Sequence, residues 1–314
     1  MAMNFADKLT HSIARANSFV IAGFDPQLDT LPEVILSEAA AAATTDEAFV
    51  YTALTDFYAL ALEALAPHIA AVKPNIAFFE QYGIGGLRAF GDVCKRARDH
   101  GLPVVADAKR GDIGTTAQAY SRAFLGRTTV CGRTIAAWDV DSVTVNPFLG
   151  FDTLAPFVED CRQHGKGIFV LVKTSNPGSG DIQGVRSVET ERDVSAIIAQ
   201  WLDKEGRTVL GECGFSSLGA VVGAPYPAEA KRLREIMPRA FFLIPGMGAQ
   251  GGTAADAAAG FGQTAAGKPH GALINLSRGL LSTFSSRSLP RESLKSELMA
   301  KAASTNREIA AALG

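Results

Sequence analysis

Short apolar runs rich in β-branched residues recur along the chain. They are SFVIAGFD at 18–25, IAAVKPN at 69–75, LPVVADAK at 102–109, SVTVNPF at 142–148, GIFVLVKTS at 167–175, LGAVVGA at 218–224, AFFLIPG at 240–246 and GALINLS at 271–277. Most are apolar at consecutive positions rather than alternate ones, the pattern of strands buried on both faces in a parallel sheet. Between them lie stretches of helical spacing. TDEAFVYTALTDFYALALEALA at 45–66 opens on Thr45 and Asp46, which suit a helix cap, with Glu47 in the first turn. LRAFGDVCKRARDHG at 87–101 ends in bases and then Gly101, a helix stop. YPAEAKRLREIMP and the C-terminal LPRESLKSELMAKAASTNREIAAAL read as helices as well.

Strands alternating with helices predict an α/β fold, a (β/α)8 TIM barrel, with an open doubly wound sheet as the alternative. Residues 26–44 form a long connection after the first strand. Residues 178–216 after the fifth strand are longer, with a helix near 190–205, and are read as an insertion on the barrel. The whole chain, 1–314, is expected to be one catalytic domain.

Composition agrees and removes several functions. Of 314 residues, 47% are hydrophobic and 20% charged, so a large core is expected and disorder is not. The net charge is −2 and no basic block occurs, which argues against nucleic acid as a partner. The N-terminus lacks a charged lead and an apolar segment, so no signal peptide is expected. No apolar run reaches the roughly 20 residues of a membrane helix, so no membrane partner is expected. The 4 cysteines have no C-x-x-C spacing and read as free thiols of a reducing cytoplasm. The 5 histidines are scattered, with no zinc motif, and no metal site is expected.

In a barrel the chemistry lies at the carboxyl ends of the strands. Nearly every predicted strand ends in a polar residue: Asp25, Lys73, Asp107 with Lys109, Asn146, Ser175, Gln250 beyond Pro245, and Ser277 with Arg278. These residue types can bind a phosphorylated, hydroxylated ligand. Asp107 and Lys109 are two apart, which on a strand puts them on one side. Buried charges are costly unless paired, so an Asp–Lys pair is expected there, extended by Lys73 from the neighbouring strand. Such a pair can also be a salt bridge that only fixes barrel geometry. PGMGAQGG at 245–252 offers backbone N–H groups and a helix start to an anion, and Arg278 can fork onto a phosphate.

These motifs resemble the orotidine 5′-phosphate decarboxylase family, in particular its longer bacterial branch. DAKRGD at 107–112 fits the Asp-x-Lys-x-x-Asp signature, while FDP, KPN, TSNPG, PGMGAQGG and SRG fall in order on successive strands. The resemblance covers nearly the whole chain. It implies cofactor-free conversion of orotidine monophosphate to uridine monophosphate and carbon dioxide. Lys109 is then the proton donor, Asp107 sits beside the departing carboxylate, and Lys73 holds the array and touches the ribose. Asp112 completes the array from the partner subunit of a homodimer, with Thr116 nearby on the ribose. Asp25 binds ribose hydroxyls, Ser175 the pyrimidine edge, and Gln250 and Arg278 the phosphate. Pro245 and Ser277 join the substrate-binding set.

The residue types suit this chemistry. Loss of the carboxylate leaves an electron pair that the ring does not delocalise, and no cofactor is expected as a sink. A fixed ammonium stabilises that charge and then supplies the proton. Two alternatives remain. One is a metal-dependent sugar-phosphate aldolase or decarboxylase on the same barrel, using the acids as magnesium ligands. The other is a nucleotide-binding barrel without activity.

Overall fold

A computed structural model describes residues 3–248 and 251–314. Eight strands form one sheet: β1 Val20–Phe24, β2 Ala71–Pro74, β3 Val105–Arg110, β4 Ser142–Val145, β5 Gly167–Lys173, β6 Ser216–Val222, β7 Ala240–Ile244 and β8 Ala272–Leu276. All pairings in it are parallel, and β8 returns to pair with β1. Parallel bridges from Val72 to Val104 and from Asn75 to Asp107 join β2 to β3 and close the ring. The expected barrel is therefore present, and the open sheet is excluded. Each of the eight apolar runs supplies one strand.

Strand alternation sorts the side chains into two layers. Val20, Ala22, Val72, Val143, Val145, Val170 and Val172 face the surrounding helices. Ile21, Val105, Phe169, Phe241, Leu243 and Leu273 fill the barrel. Burial of each large side chain is worth about 1.5–3 kcal/mol, so the filled interior is a substantial part of the fold's stability.

The expected helices are found at Asp46–Leu65, Gly83–Asp99, Pro227–Ile236 and Arg291–Leu313. Thr45 caps the first of these, its side chain accepting the Ala48 N–H. This helix corrects one expectation. Its segment Asp46–His68 is long and apolar enough to cross a membrane by composition. Its apolar residues, among them Leu54, Phe57, Tyr58 and Leu65, are buried against the barrel and neighbouring helices. The long segment after β5 resolves into two parts. Val194–Gly206 is the barrel helix that joins β5 to β6, and the additional chain is the loop and short turns before it.

The connection at 26–44 contains a helix, Glu33–Ala42, and further elements were not anticipated. A two-stranded hairpin, Thr128–Val130 with Arg133–Ile135, precedes β4. Another is helix α1, Phe5–Ala16, which Asn4 caps by accepting the Ala6 N–H. Its buried residues Phe5, Leu9 and Ile13 recur at helical spacing and insert into the amino end of the barrel. Phe5 packs edge-on against Phe169 with ring centroids 6.0 Å apart. A side chain at Gly167 would come within 2.1 Å of the Phe5 ring, so the plug depends on that glycine.

Candidate active site

The same alternation that fills the barrel places polar residues at its carboxyl mouth. Ile21, Gly23 and Asp25 share one side, as do Ala71 with Lys73, Val105 with Asp107, and Leu273 with Asn275. The last inward layer of the interior is thus polar where the layers beneath are apolar.

Asp107 is the centre of the array. Its Oδ2 accepts from Lys73 Nζ at 2.7 Å and its Oδ1 from Lys109 Nζ at 2.6 Å. The Lys73 and Asp107 side chains are 5% and 10% exposed, whereas that of Lys109 is 50% exposed. Lys109 is therefore the member that reaches into the open mouth. Burial opposes the charge on Asp107, but Lys73 and Lys109 outweigh it and hold the carboxyl well below the usual range. Burial likewise opposes the charge on Lys73. Asp107, and then Asp25, overcome it and raise its pKa.

The route by which Lys109 reaches Asp107 differs from the expectation. Simple alternation does not hold here, because Lys109 has φ +46°, in the left-handed region. The register slips: Ala106 faces Val143 and Arg110 faces Val145, so β3 carries two surplus residues against β4. Thr144 accommodates this bulge. Its Oγ1 accepts the Ala108 and Lys109 N–H groups at 3.0 and 2.9 Å and donates to Asp107 Oδ1 at 3.0 Å. Left-handed backbone costs a non-glycine residue about 1–2 kcal/mol. Three hydrogen bonds at about 1 kcal/mol each are enough to offset it.

Asp25, Pro245, Gly246, Met247, Ser277 and Arg278 line a cleft of about 170 Å³ beside the array. Asp25 Oδ1 and Asn275 Oδ1 are buried with no hydrogen-bond partner among the described residues. Both are acceptors and call for donors from a ligand. Gly23 keeps this corner open, since a Cβ there would lie 2.0 Å from Ser277 Oγ. Arg278 is exposed and forms no ion pair with a described residue. Gln250 lies outside the described residues.

The remaining candidates divide. Ser175 stands past the end of β5, packed against Gly223. The loop that carries it is held by Gln183, whose Oε1 accepts the Thr174 N–H, and by Tyr226, which donates to the Asn176 carbonyl. Asp112 forms no ion pair with a described residue, and its Oδ1 accepts the Ile113 N–H. Thr116 is exposed on the helix Gly114–Phe124. Neither joins the array inside one subunit. The helix start after PGMGAQGG also differs from expectation. That helix, Ala254–Ala258, is only five residues long, and Thr253 and Asp256 cap it reciprocally. An anion there would meet the glycine backbone and Arg278, not a vacant helix end. Among the described residues, no group of three or more His, Cys, Asp and Glu is arranged to hold a metal ion.

Sequence reasoning passed over Thr144 and Asn275. Both were visible as polar residues in otherwise apolar runs, two positions from an inward apolar or polar neighbour.

The fold and the array at its mouth define a (β/α)8-barrel enzyme. Residues 44–286 match the orotidine 5′-phosphate decarboxylase / HUMPS family, and the chain belongs to that family. An orotidine 5′-phosphate decarboxylase of Caldicellulosiruptor bescii is 39% identical over 254 residues, 81% of this chain and 83% of that protein. One from Deinococcus radiodurans is 47% identical over 221 residues, 70% of this chain and 76% of that protein. The crystal structure of a putative orotidine 5′-phosphate decarboxylase from Streptomyces avermitilis superimposes with a TM-score of 0.76. It is 31% identical, and the match covers all of this chain and 97% of that one.

Proposed function

We propose that the protein decarboxylates orotidine 5′-phosphate to uridine 5′-phosphate, the last step of pyrimidine nucleotide synthesis. The Lys73–Asp107–Lys109 array at the barrel mouth carries this reading. Asp25 and Asn275 offer acceptors to the ribose hydroxyls, and Ser175 faces the pyrimidine edge. Pro245, Ser277, Gln250 and Arg278 surround the phosphate. Asp107 lies beside the substrate carboxylate, and Lys109 Nζ points at the carbon that bears it. The bond from that carbon to the carboxylate breaks, carbon dioxide leaves, and the electron pair stays on the ring carbon. The Lys109 ammonium stabilises the pair in a site of low dielectric and then protonates the carbon. Lys109 regains its proton from solvent. Binding of the remote phosphate lowers the barrier by fixing the substrate in place. No cofactor takes part.

The proposal includes a homodimer in which Asp112 and Thr116 act in the partner's site, and a cytoplasmic location, in keeping with four unpaired cysteines. The test is an absorbance assay with orotidine monophosphate, with and without excess EDTA. Turnover unchanged by EDTA is expected. Turnover abolished by EDTA and restored by magnesium would favour a metal-dependent reaction. Binding of uridine monophosphate without turnover would overturn the catalytic reading.

A further inference from the structure

We propose that Thr144 is the positioning residue of the array. This inference rests on the reading of Lys109 as proton donor and adds the reason that Lys109 is where it is. The ammonium must reach Asp107 and the mouth at once. A regular strand would not give it that path, because β3 carries two surplus residues at this point. The surplus chain makes two consecutive N–H groups, of Ala108 and Lys109, converge on one spot. That spot is the Thr144 hydroxyl.

A hydroxyl has one proton and two lone pairs. Here all three are used: two N–H groups donate to it and its proton goes to Asp107. The same oxygen therefore fixes the backbone of the lysine and the carboxylate that orients the ammonium. Thr144 is 1% exposed, so water does not readily replace it. Its β-branch restricts the side-chain torsion, which keeps the hydroxyl aimed without a further partner. Its neighbours Val143 and Val145 face the helices, which leaves Thr144 on the inward side by alternation. Without the hydroxyl, two part-buried N–H groups lose their acceptor, and the left-handed turn at Lys109 loses what holds it.

Substitution with a residue of the same shape tests this. In Thr144→Val, kcat should fall by about 10²-fold, the cost of misplacing a reacting group by roughly an ångström. KM and the affinity for uridine monophosphate should change little, because the Thr144 hydroxyl bonds Asp107 and the backbone of Ala108 and Lys109 rather than the cleft beside Arg278. Thr144→Ser keeps the hydroxyl and should recover most of the rate. Thr144→Cys retains only weak hydrogen bonding and serves as the second variant should the valine protein not fold. A role in stability alone would lower the melting temperature of the valine or cysteine variant while leaving kcat of the folded protein intact. That result, or a serine variant as slow as valine, would overturn the inference. Lys109→Ala is measured beside them. If it is inactive while Thr144→Val is fully active, the positioning role fails alone. If Lys109→Ala is active, the assignment of Lys109 has failed first.

Discussion

Lys109 Nζ stands 2.6 Å from Asp107 Oδ1, yet the two residues do not lie on one regular strand, because Lys109 has φ +46°. The ion pair is made by a bulge. Its half-exposed lysine and its buried carboxylate have different tasks, and the first prediction separates them.

Lys109→Ala should lose more than about 10³-fold in kcat, the combined loss of a proton donor and of a fixed charge. Affinity for uridine monophosphate should be largely retained. Steady-state rates and a binding titration check this, and activity within tenfold of the parent would exclude Lys109 as the donor.

Asp107→Asn should alter stability with a definite pH dependence. The carboxyl is held below its ordinary value: burial opposes this, and Lys73 and Lys109 overcome it. A depressed carboxylate contributes stability above its unfolded pKa of about 3.9 and loses it as the pH falls through the lower folded value. Lys73 is raised, so its contribution is present below about 10.4 and fades as the pH climbs through its folded value. The Asp107–Lys73 pair thus stabilises between about pH 4 and about pH 10. Removing the charge of Asp107 leaves Lys73 buried and unpaired, at a cost of about 3–5 kcal/mol at pH 7. Denaturant titrations from pH 7 to pH 2 should show this loss, and a shallower acid decline than in the parent. An unchanged acid slope would place the array in solvent.

Arg278→Ala should raise KM strongly and lower kcat as well, since the grip on a remote phosphate contributes to the barrier. With a substrate truncated at the phosphate, added phosphite should restore part of the rate of the parent. If truncation leaves kcat/KM unchanged, Arg278 and the 245–252 loop do not bind phosphate.

Asp112 bonds no member of the array inside its own chain, and its carboxylate accepts the Ile113 N–H. If each site is shared across a two-fold axis, Lys109→Ala and Asp112→Ala should each be inactive as homodimers. In a mixed dimer one site carries both substitutions and the other neither. Subunit exchange between the two variants should return up to about half of parental activity per mixed dimer. Verified exchange with no recovery would place Asp112 in its own chain's site.

The barrel was legible because strands buried on both faces are apolar at mostly consecutive positions, and the eight runs follow that pattern. The Asp107–Lys73 pair was legible for a related reason, since a charge in such a run needs a counter-charge. The bulge was not, because φ at Lys109 is decided by a hydroxyl on β4, far away in sequence. Nor was the role of α1. The spacing of Phe5, Leu9 and Ile13 is visible, but the Phe5 ring fits only because residue 167 has no side chain. Asp112 and Thr116 do not meet the array in one chain, and Gln250 lies outside the described residues.

Helix α1 gives the barrel a floor of Phe5, Leu9 and Ile13 against Phe169, Phe241 and Leu273. Among the described residues, that floor and the filled interior above it leave no passage through the barrel. On the proposed reaction, the nucleotide that departs must retrace the passage by which its precursor arrived. On that reading, arrival and departure share the carboxyl mouth where Lys73, Asp107 and Lys109 stand. A change that widens that mouth should then hasten both entry and exit.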